Sequence, residues 1–318
     1  MNDADFMRRA LALAARGRGH TRPNPPVGAV IVQDGRIVGE GWHKRAGGDH
    51  AEVAAIKNAR RRGCASLADA TLYVTLEPCS KPGRVGACTD AIRAAKVPRV
   101  VYAVPDPNPT NRGRAKRALA KAGIACARLK DAATVRAAEE LIAPFAKHVT
   151  TGLPFVTVKI ALSLDGRICD DFGDARWISS AAARRTTGKL REQVDAILVG
   201  AETVRRDDPS LLAHGRPNRD LIRVVVSKSG NLPKTAQVFT DGAPNPTLVF
   251  DDARAALVEL GRRGALHVLC EGGLNLATAL AEAGLVDEWW TVLAPKVIGH
   301  RRIGRATTIR SVKCLLDS

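Results

Sequence analysis

Apolar runs alternate with amphipathic segments along the first half of the chain, and their spacing predicts strands and helices. VGAVIVQ (27–33) and RIVGEGW (36–42) are predicted strands, joined by Asp34-Gly35, a dipeptide that favours a tight hairpin. Further strands are predicted over 70–76 and 100–104, and helices over 4–16, 52–62, 88–96, 114–122 and 132–146. Strands that alternate with helices predict an α/β layer with a mostly parallel sheet and one hairpin.

A second α/β pattern begins after a turn-rich segment. HVTTGLP (148–154) predicts a linker, so we expect two domains, 1–147 and 148–318. The predicted strands of the second half cover 155–162, 196–200, 222–227, 247–250, 266–270 and 287–294, and its helices cover 180–191, 252–263 and 274–283. A chain of 318 residues is long enough for two hydrophobic cores.

One imidazole, two cysteines and a carboxylate recur in order in the first half. His50-Ala51-Glu52 is followed by Glu77-Pro78-Cys79 and then by Cys88, with eight residues between the cysteines. One His and two Cys are a sound ligand set for Zn²⁺, and three protein ligands leave the fourth tetrahedral position for water. Zinc deaminases carry H-x-E…P-C-x-x-C, in which the glutamate is the general acid/base. The sequence therefore predicts a catalytic zinc held by His50, Cys79 and Cys88, with Glu52 as the catalytic residue.

Each piece of this motif also has an ordinary explanation when it is taken alone. A lone His-x-Glu is usually a surface dipeptide, and a lone Pro-Cys is usually a buried thiol. Two cysteines can belong to a structural zinc site, but such sites normally collect four protein ligands. Found together and in this order, the pieces favour a catalytic zinc.

Positive charge is concentrated in the first half. Residues 1–150 hold 26 Lys+Arg against 13 Asp+Glu, a balance of +13, and residues 151–318 hold 23 against 19, a balance of +4. A basic domain is typical of nucleic-acid-binding proteins. Here the cations are dispersed, and Trp42, Tyr73 and Tyr102 are the only Trp, Tyr or Phe residues between 7 and 110. Solvated helix faces and a phosphorylated small-molecule substrate explain the charge better than a nucleic acid does.

Cysteine usage and apolar runs indicate the compartment. Seven cysteines at scattered spacings argue against a disulfide framework, so we predict five free thiols at Cys64, Cys126, Cys169, Cys270 and Cys314. The N-terminal segment lacks the apolar core of a signal peptide, and no apolar run approaches the length of a membrane span. We expect a cytoplasmic protein without membrane association.

Glycines follow two of the strands predicted in the second half. Gly200 and Glu271-Gly272-Gly273 lie where a strand gives way to a helix, which is the sheet edge where ligands bind in open α/β folds. Such glycines let a phosphate approach backbone N–H groups, although any one of them can simply make a tight turn. Asp207-Asp208-Pro209 can supply metal ligands or, more commonly, a loop and cap. The residues alone indicate a nucleotide-binding domain without a G-x-G-x-x-G fingerprint.

Together, these motifs resemble the bifunctional deaminase–reductase family of riboflavin biosynthesis over nearly the whole chain. The motifs in the deaminase half are NPPVG (24–28), GWH (41–43), HAEV (50–53), YVTLEPC (73–79) and DPNP (106–109). Those in the reductase half are SLDGR (163–167), WI (177–178), DAILVG (195–200), DDP (207–209), EGG (271–273) and LVDE (285–288). The resemblance implies a cytidine-deaminase-like α/β/α domain, a dihydrofolate-reductase-like α/β domain, and zinc and NADPH as cofactors.

The resemblance also implies two reactions and the residues that serve them. Hydrolysis removes an exocyclic amine from a phosphoribosylaminopyrimidinone, and NADPH then reduces the ribosyl group to a ribityl chain. The implied substrate-binding residues are Asn24, His43, Arg191, Leu211 and Glu271. The implied cofactor-binding residues are Ala161, Trp177, Thr203, Asp207, Gly273, Leu274, Asn275, Leu276, Ala277, Thr278 and Ala279. We expect Gly273 and the start of the 274–283 helix to receive the pyrophosphate.

Three departures from the family pattern keep alternatives open. Lys81 stands where the family usually has His, Ala175 where Ser is common, and His214 where Arg is common. One alternative is therefore a monofunctional deaminase with a degenerate reductase half. A tRNA adenosine deaminase shares the zinc chemistry and suits the basic first half, but it normally has Cys-x-x-Cys and no second domain. The sequence leaves the oligomeric state of this protein open between a monomer and a homo-oligomer.

Overall fold

The chain divides into two compact units, Met1–Gly152 (unit 1) and Leu153–Ser318 (unit 2). The computed structural model describes residues 2–81, 86–172, 178–213 and 221–300, together with the backbone of 307–308. The predicted linker over 148–154 is wrong in its first half, because a helix continues through Thr151 and ends on Gly152 in the left-handed conformation (φ 76°). The boundary between the units therefore lies after Gly152 rather than after residue 147.

Unit 1 is built on one five-stranded sheet. Its strands are β1 (Gly28–Gln33), β2 (Arg36–Trp42), β3 (Thr71–Leu76), β4 (Arg99–Val104) and β5 (Ala125–Arg128). Its helices are α1 (Asp3–Ala14), α2 (Ala51–Arg61), α3 (Cys88–Ala94), α4 (Arg114–Ala120) and α5 (Ala132–Thr151), with a short 3-10 turn at Ala15–Gly17. The strand order is β2-β1-β3-β4-β5. The sheet is more mixed than predicted, because β1 runs antiparallel to β3 as well as to β2.

The predicted hairpin is confirmed, and one strand was missed. Asp34 and Gly35 both have positive φ angles, 51° and 71°, as the tight turn between β1 and β2 requires. β5 pairs with β4 at the edge of the sheet, and its sequence Ala-Cys-Ala-Arg is short and mostly exposed. A strand of this kind leaves no alternating apolar pattern for sequence analysis to detect.

Alternate residues of β1 build the two cores of unit 1. Ala29 and Ile31 pack with residues of α2, α3 and α4, whereas Val30 and Val32 pack with residues of α1 and α5. The result is an α/β/α sandwich. Helix α2 lies directly against β2, because a Cβ at Gly41 would fall 2.4 Å from the backbone nitrogen of Ala55. This close approach fixes the start of α2 relative to the sheet.

Unit 2 has a second, six-stranded sheet. Its strands are β6 (Phe155–Ser163), β7 (Ala196–Gly200), β8 (Ile222–Val226), β9 (Leu248–Phe250), β10 (His267–Cys270) and β11 (Glu288–Ala294), and β12 (Lys296–Val297) pairs with β13 (Thr307–Thr308) separately. Its helices are α6 (Ala181–Arg191), α7 (Ala201–Asp207), α8 (Gln237–Thr240), α9 (Ala253–Arg262) and α10 (Leu274–Glu282). The order is β11-β6-β10-β7-β8-β9, and all its ladders are parallel.

The parallel sheet of unit 2 directs several strand ends to one edge. β6, β7 and β10 are adjacent, so the chain leaves the sheet at Gly200 and at Glu271 on the same side. Helices α9 and α10 pack on one face of the sheet, and α6, α7 and α8 pack on the other. The turns after β7 and β10 therefore meet at the edge where open α/β sheets bind ligands.

Two further predictions concern the free thiols and the lack of a membrane-spanning segment. Cys64, Cys126, Cys169 and Cys270 are unpaired, and Cys314 lies outside the described residues. Within the described ranges, no helix combines the length and apolar character needed to span a bilayer.

Candidate active sites

The three predicted zinc ligands lie together in unit 1. The ligand atoms of His50, Cys79 and Cys88 are all within 4.8 Å of one another. His50 Nδ1 lies 3.1 Å from Cys88 Sγ and 3.6 Å from Cys79 Sγ. Tetrahedral zinc with ordinary bond lengths holds its nitrogen and sulfur ligands about 3.5 Å apart. The donor set and its spacing therefore fit a zinc ion.

Secondary structure brings these ligands to one place. His50 is the N-cap residue of α2, Cys79 follows the end of β3, and Cys88 is the first residue of α3. The backbone N–H of Cys88 donates to Cys79 Sγ at 3.3 Å, and the N–H of Thr89 donates to the Cys79 carbonyl at 3.2 Å. Because helix N-termini favour negative charge, the start of α3 stabilises the thiolate of Cys79.

The protonation of the cluster suits a metal ion. Hydrogen bonds from the Cys88 thiol and from His50 lower the pKa of Cys79. The same hydrogen bond to Cys79, together with burial, raises the pKa of Cys88, and the bond to Cys79 also raises the pKa of His50. The lowered pKa of Cys79 favours its thiolate, which is the form that binds a metal, and metal binding requires the ligand atoms of Cys88 and His50 to be free of protons as well.

Glu52 lies beside this cluster without belonging to it. It is in the first turn of α2, and its side chain is buried. Burial first, and then the negative charge of Cys79, raises the pKa of Glu52 to about 7. A carboxyl group that gains and loses a proton near neutral pH suits general acid/base chemistry.

The two predicted substrate-positioning residues of unit 1 also lie at this site. The ring centroids of His43 and His50 are 5.3 Å apart. His43 Nδ1 lies 3.0 Å from the carbonyl of Asp49, which can only accept, so this nitrogen carries the proton. Burial lowers the pKa of His43, and its Nε2 accepts from the Asn24 amide at 3.1 Å. Because the side-chain nitrogen of Asn24 is engaged in this bond, its side-chain oxygen can accept a hydrogen bond from a substrate.

Unit 2 contains a cleft of about 1460 Å³ at the predicted edge of its sheet. Its lining includes nine of the predicted cofactor and substrate residues: Ala161, Arg191, Thr203, Asp207, Glu271, Gly273, Leu274, Asn275 and Leu276. Gly273 is the N-cap of α10, and a Cβ added to it would meet nothing within 4 Å. The cleft therefore has open space beside the backbone where a pyrophosphate is expected, and its residues fit a dinucleotide.

Other predicted residues of unit 2 lie elsewhere. Ala277 is buried in the core, because the period of α10 turns it towards the sheet, while Thr278 and Ala279 are exposed and outside the cleft lining. The side chain of Leu211 is also buried in the core. The side chains of Ala277 and Leu211 thus pack in the core, and the assignment of these two positions to the cofactor and the substrate stays a prediction. Predicted residue Trp177 and the departures Ala175 and His214 lie outside the described residues.

An ion pair holds two of the cleft residues together. Arg191 donates from Nε and from a terminal nitrogen to the two oxygens of Glu271, at 2.7 and 3.0 Å. The side chains are only 16% and 12% exposed. Glu271 was predicted to face the ribose of the substrate, and in this structure Arg191 occupies its acceptor oxygens. The pair is therefore preorganised as one unit at the cleft.

Sequence analysis missed Lys159, which also lines the cleft. It lies in the middle of β6, and burial lowers the pKa of its ammonium group. A single lysine inside the apolar run FVTVKIAL was the signal that could have found it, because charged residues are rarely buried without a partner or a function.

The acidic segment Asp207-Asp208-Pro209 lies at the end of α7, and its Asp208 is the C-cap residue of that helix. Asp208 ends α7 in the left-handed conformation (φ 41°), and its carboxylate accepts from the backbone N–H of Gln237 at 2.7 Å. Among the described residues, the His50, Cys79 and Cys88 cluster is the only group of three ligand side chains this close together. The loop-and-cap interpretation of Asp207-Asp208-Pro209 is therefore the one that the structure supports.

Two protein-family models match the chain, one in each half. Residues 1–104 match the cytidine and deoxycytidylate deaminase zinc-binding region, and residues 154–316 match the RibD C-terminal domain. The first match contains the His50, Cys79 and Cys88 cluster, and the second contains the residues that line the cleft of unit 2.

Curated relatives match nearly the whole sequence. The chain is 39% identical to riboflavin biosynthesis protein RibD of Escherichia coli (strain K12), over 96% of this chain and 91% of that protein. It is 35% identical to RibD of Aquifex aeolicus (strain VF5), over 94% and 88%.

Solved structures of similar proteins give the same result. The structure resembles a diaminohydroxyphosphoribosylaminopyrimidine deaminase/5-amino-6-(5-phosphoribosylamino)uracil reductase from Thermotoga maritima with a TM-score of 0.85, at 34% identity over 98% of this chain and 93% of that one. RibD of Acinetobacter baumannii gives a TM-score of 0.83, at 34% identity over 99% and 94%.

Proposed function

The chain belongs to the RibD family of riboflavin biosynthesis proteins, and from that premise we propose that the His50, Cys79 and Cys88 cluster is its deaminase site and the cleft of unit 2 its reductase site. It is a bifunctional enzyme with a cytidine-deaminase-like zinc domain and a dihydrofolate-reductase-like, NADPH-dependent domain. We assign the first activity to unit 1 and the second to unit 2. The observation that carries the proposal is the three-ligand cluster with buried Glu52 beside it.

In the deaminase site, the residues of the chain bind, orient and move protons. Zinc, when bound by His50, Cys79 and Cys88, would supply a Lewis acid that lowers the pKa of water towards 7. Glu52 takes a proton from the attacking water and delivers it to the departing amine, which leaves as ammonia. Asn24, fixed by His43, accepts a hydrogen bond from the pyrimidine. The product is the corresponding uracil derivative.

In the reductase site, the residues of the cleft would hold the cofactor and the deaminated product. NADPH, when bound, supplies the hydride that reduces the ribosyl group to ribityl. The backbone at Gly273 and the start of α10 receive the pyrophosphate, because open space and the helix dipole both favour an anion there. Lys159 and the Arg191–Glu271 pair line the same cleft and provide donors and acceptors for the sugar and its phosphate.

The substrate is a phosphorylated pyrimidine, and we expect no nucleic-acid partner. The dispersed cations of unit 1 support this, as does the small-molecule chemistry of both sites. The unpaired thiols fit a reducing compartment such as the cytoplasm.

Replacing one cysteine ligand tests the zinc site. Cys88→Ser should lower zinc content well below one ion per chain, because a neutral hydroxyl is a poor substitute for thiolate, and deaminase activity should fall with it. Metal analysis of the purified protein measures this. Cys64→Ser is the matched control, since Cys64 is a free cysteine of the same unit outside the cluster. One zinc per chain and full deaminase activity in Cys88→Ser would remove Cys88 from the ligand set.

RNA binding separates this function from that of a tRNA deaminase. We expect weak binding of tRNA that falls steeply between low and physiological salt, because it rests on dispersed charge without stacking aromatic rings. Fluorescence anisotropy with labelled tRNA over a salt series measures it. Tight, sequence-selective binding at physiological salt would support the adenosine deaminase alternative instead.

A further inference from the structure

A single loop forms hydrogen bonds to the zinc-binding turn of unit 1, at residues before and after Cys79. The loop follows β4 and leads into α4, covering residues 105–113. On one side, the carboxylate of Glu77 accepts from the backbone N–H groups of Asp106, Gly113 and Ala115, at 3.2, 3.0 and 3.1 Å. Glu77 is only 2% exposed, so these bonds are shielded from water.

On the other side, the side chain of Asn111 joins the loop to the residue after Cys79. Its Oδ1 accepts from the backbone N–H of Ser80 at 2.9 Å and from the Ser80 hydroxyl at 3.1 Å. Its Nδ2 donates to the carboxylate of Asp106 at 2.7 Å. A backbone N–H can only donate and a carboxylate can only accept, so both contacts fix the same orientation of the amide.

These bonds restrain the backbone that carries a zinc ligand. The N–H of Ser80 belongs to the peptide group that includes the Cys79 carbonyl, and that carbonyl accepts from Thr89 at 3.2 Å. Asn111 and Asp106 are 6% and 8% exposed. A buried chain of hydrogen bonds thus runs from Asp106 through Asn111 to the peptide after Cys79.

We infer that Asn111 and Asp106 are positioning residues for the zinc ligand Cys79, an inference that rests on the proposed zinc site. They touch neither the metal cluster nor Glu52 in this structure, and they act by holding the turn in which the thiolate is presented. Outer residues that orient metal ligands typically contribute about 10–100-fold in metal affinity. The pair therefore sets how tightly the enzyme retains zinc.

Zinc release from the full-length, zinc-loaded protein tests the inference. Asn111→Ala should transfer zinc to a chromophoric chelator about 10–100-fold more readily than wild type. Asn108→Ala is the matched control, because the side-chain oxygen of Asn108, which lies in the same loop, accepts only from the backbone N–H and hydroxyl of Thr110, both at 3.0 Å. Its zinc release should match wild type. Equal release from the Asn111 and Asn108 variants would overturn the inference.

Exchanging the two side chains gives a second test that does not depend on truncation. Asn111→Asp places a carboxylate against Asp106. Asp106→Asn puts an amide nitrogen against either the Asn111 amide nitrogen or the Asn108 N–H, because both oxygens of Asp106 accept hydrogen bonds. Each single change should therefore loosen zinc. The double variant restores one donor and one acceptor at the 2.7 Å contact and should regain wild-type retention. Failure of the double variant to recover retention beyond either single variant would contradict the inference.

The cobalt-substituted protein gives a spectroscopic readout of the same geometry. The thiolate-to-cobalt absorption should shift in Asn111→Ala and return to the wild-type spectrum in the double variant, whereas a residue that only stabilises the fold would leave it unchanged. If wild type itself holds no zinc, the proposed zinc site fails. If wild type holds zinc and the Asn111 variants behave like wild type, only the positioning role fails.

Discussion

Glu52→Gln should lose about 10²–10⁴-fold in deaminase turnover while keeping its zinc and its fold. Gln has nearly the same shape as Glu, so the buried start of α2 is preserved. It cannot take a proton from water, and burial already places the pKa of Glu52 at about 7, where proton exchange is most useful. Ammonia release from the pyrimidine substrate measures turnover, and metal analysis confirms zinc content.

The reductase activity of the same chain is the internal control for Glu52→Gln. Supplied with substrate that is already deaminated, the variant should oxidise NADPH at the wild-type rate. Glu139→Gln, an exposed glutamate of unit 1 paired with Arg128, should change neither activity. Near wild-type deamination by Glu52→Gln would mean that Glu52 is a structural carboxylate.

Gly273→Val should abolish reduction and leave deamination intact. Gly273 has φ −68° and ψ 176°, an extended conformation that valine adopts readily. A Cβ there meets no atom within 4 Å, so the fold should tolerate the change. The isopropyl group would instead fill the space beside the start of α10, where the pyrophosphate is expected. Calorimetric titration with NADPH should detect no binding to the variant.

A valine inside α10 separates the blocking of the cofactor from damage to the helix. Ala281 is exposed in the last turn of α10 and outside the cleft lining, so Ala281→Val puts a β-branched residue into the helix itself without entering the site. It should bind NADPH like wild type. Normal NADPH affinity in Gly273→Val would move the pyrophosphate site elsewhere in the cleft.

Local chemistry made the zinc site predictable from the sequence. The His-x-Glu and Pro-Cys motifs contain the side chains that ligate zinc and transfer protons, so short stretches of sequence were enough to find them. Asp34-Gly35 predicted the hairpin that precedes them. The structure brings His50, Cys79 and Cys88 together as that pattern requires. What the sequence did not indicate was the support for these residues, because Asn111 acts through long-range hydrogen bonds that no short motif encodes.

Tertiary context decided the features that were predicted wrongly or missed. The turn residues of 148–154 predicted a linker, but α5 continues to Thr151 because its C-terminal cap is Gly152. A matched family position does not reveal which way a side chain points, and the sequence did not indicate that the side chains of Ala277 and Leu211 pack in the core. Lys159 was overlooked because the apolar pattern of β6 dominates its neighbourhood.

The central claim, that one chain carries both activities, is tested most directly by a two-stage assay on a single full-length preparation. The protein is given the phosphorylated diaminopyrimidine together with NADPH, and ammonia and NADPH are followed in the same sample. We predict that ammonia appears first and that NADPH is then oxidised in an equal amount, with no oxidation when deamination is blocked by Glu52→Gln. Release of ammonia with NADPH left unoxidised would contradict this account and identify a monofunctional deaminase.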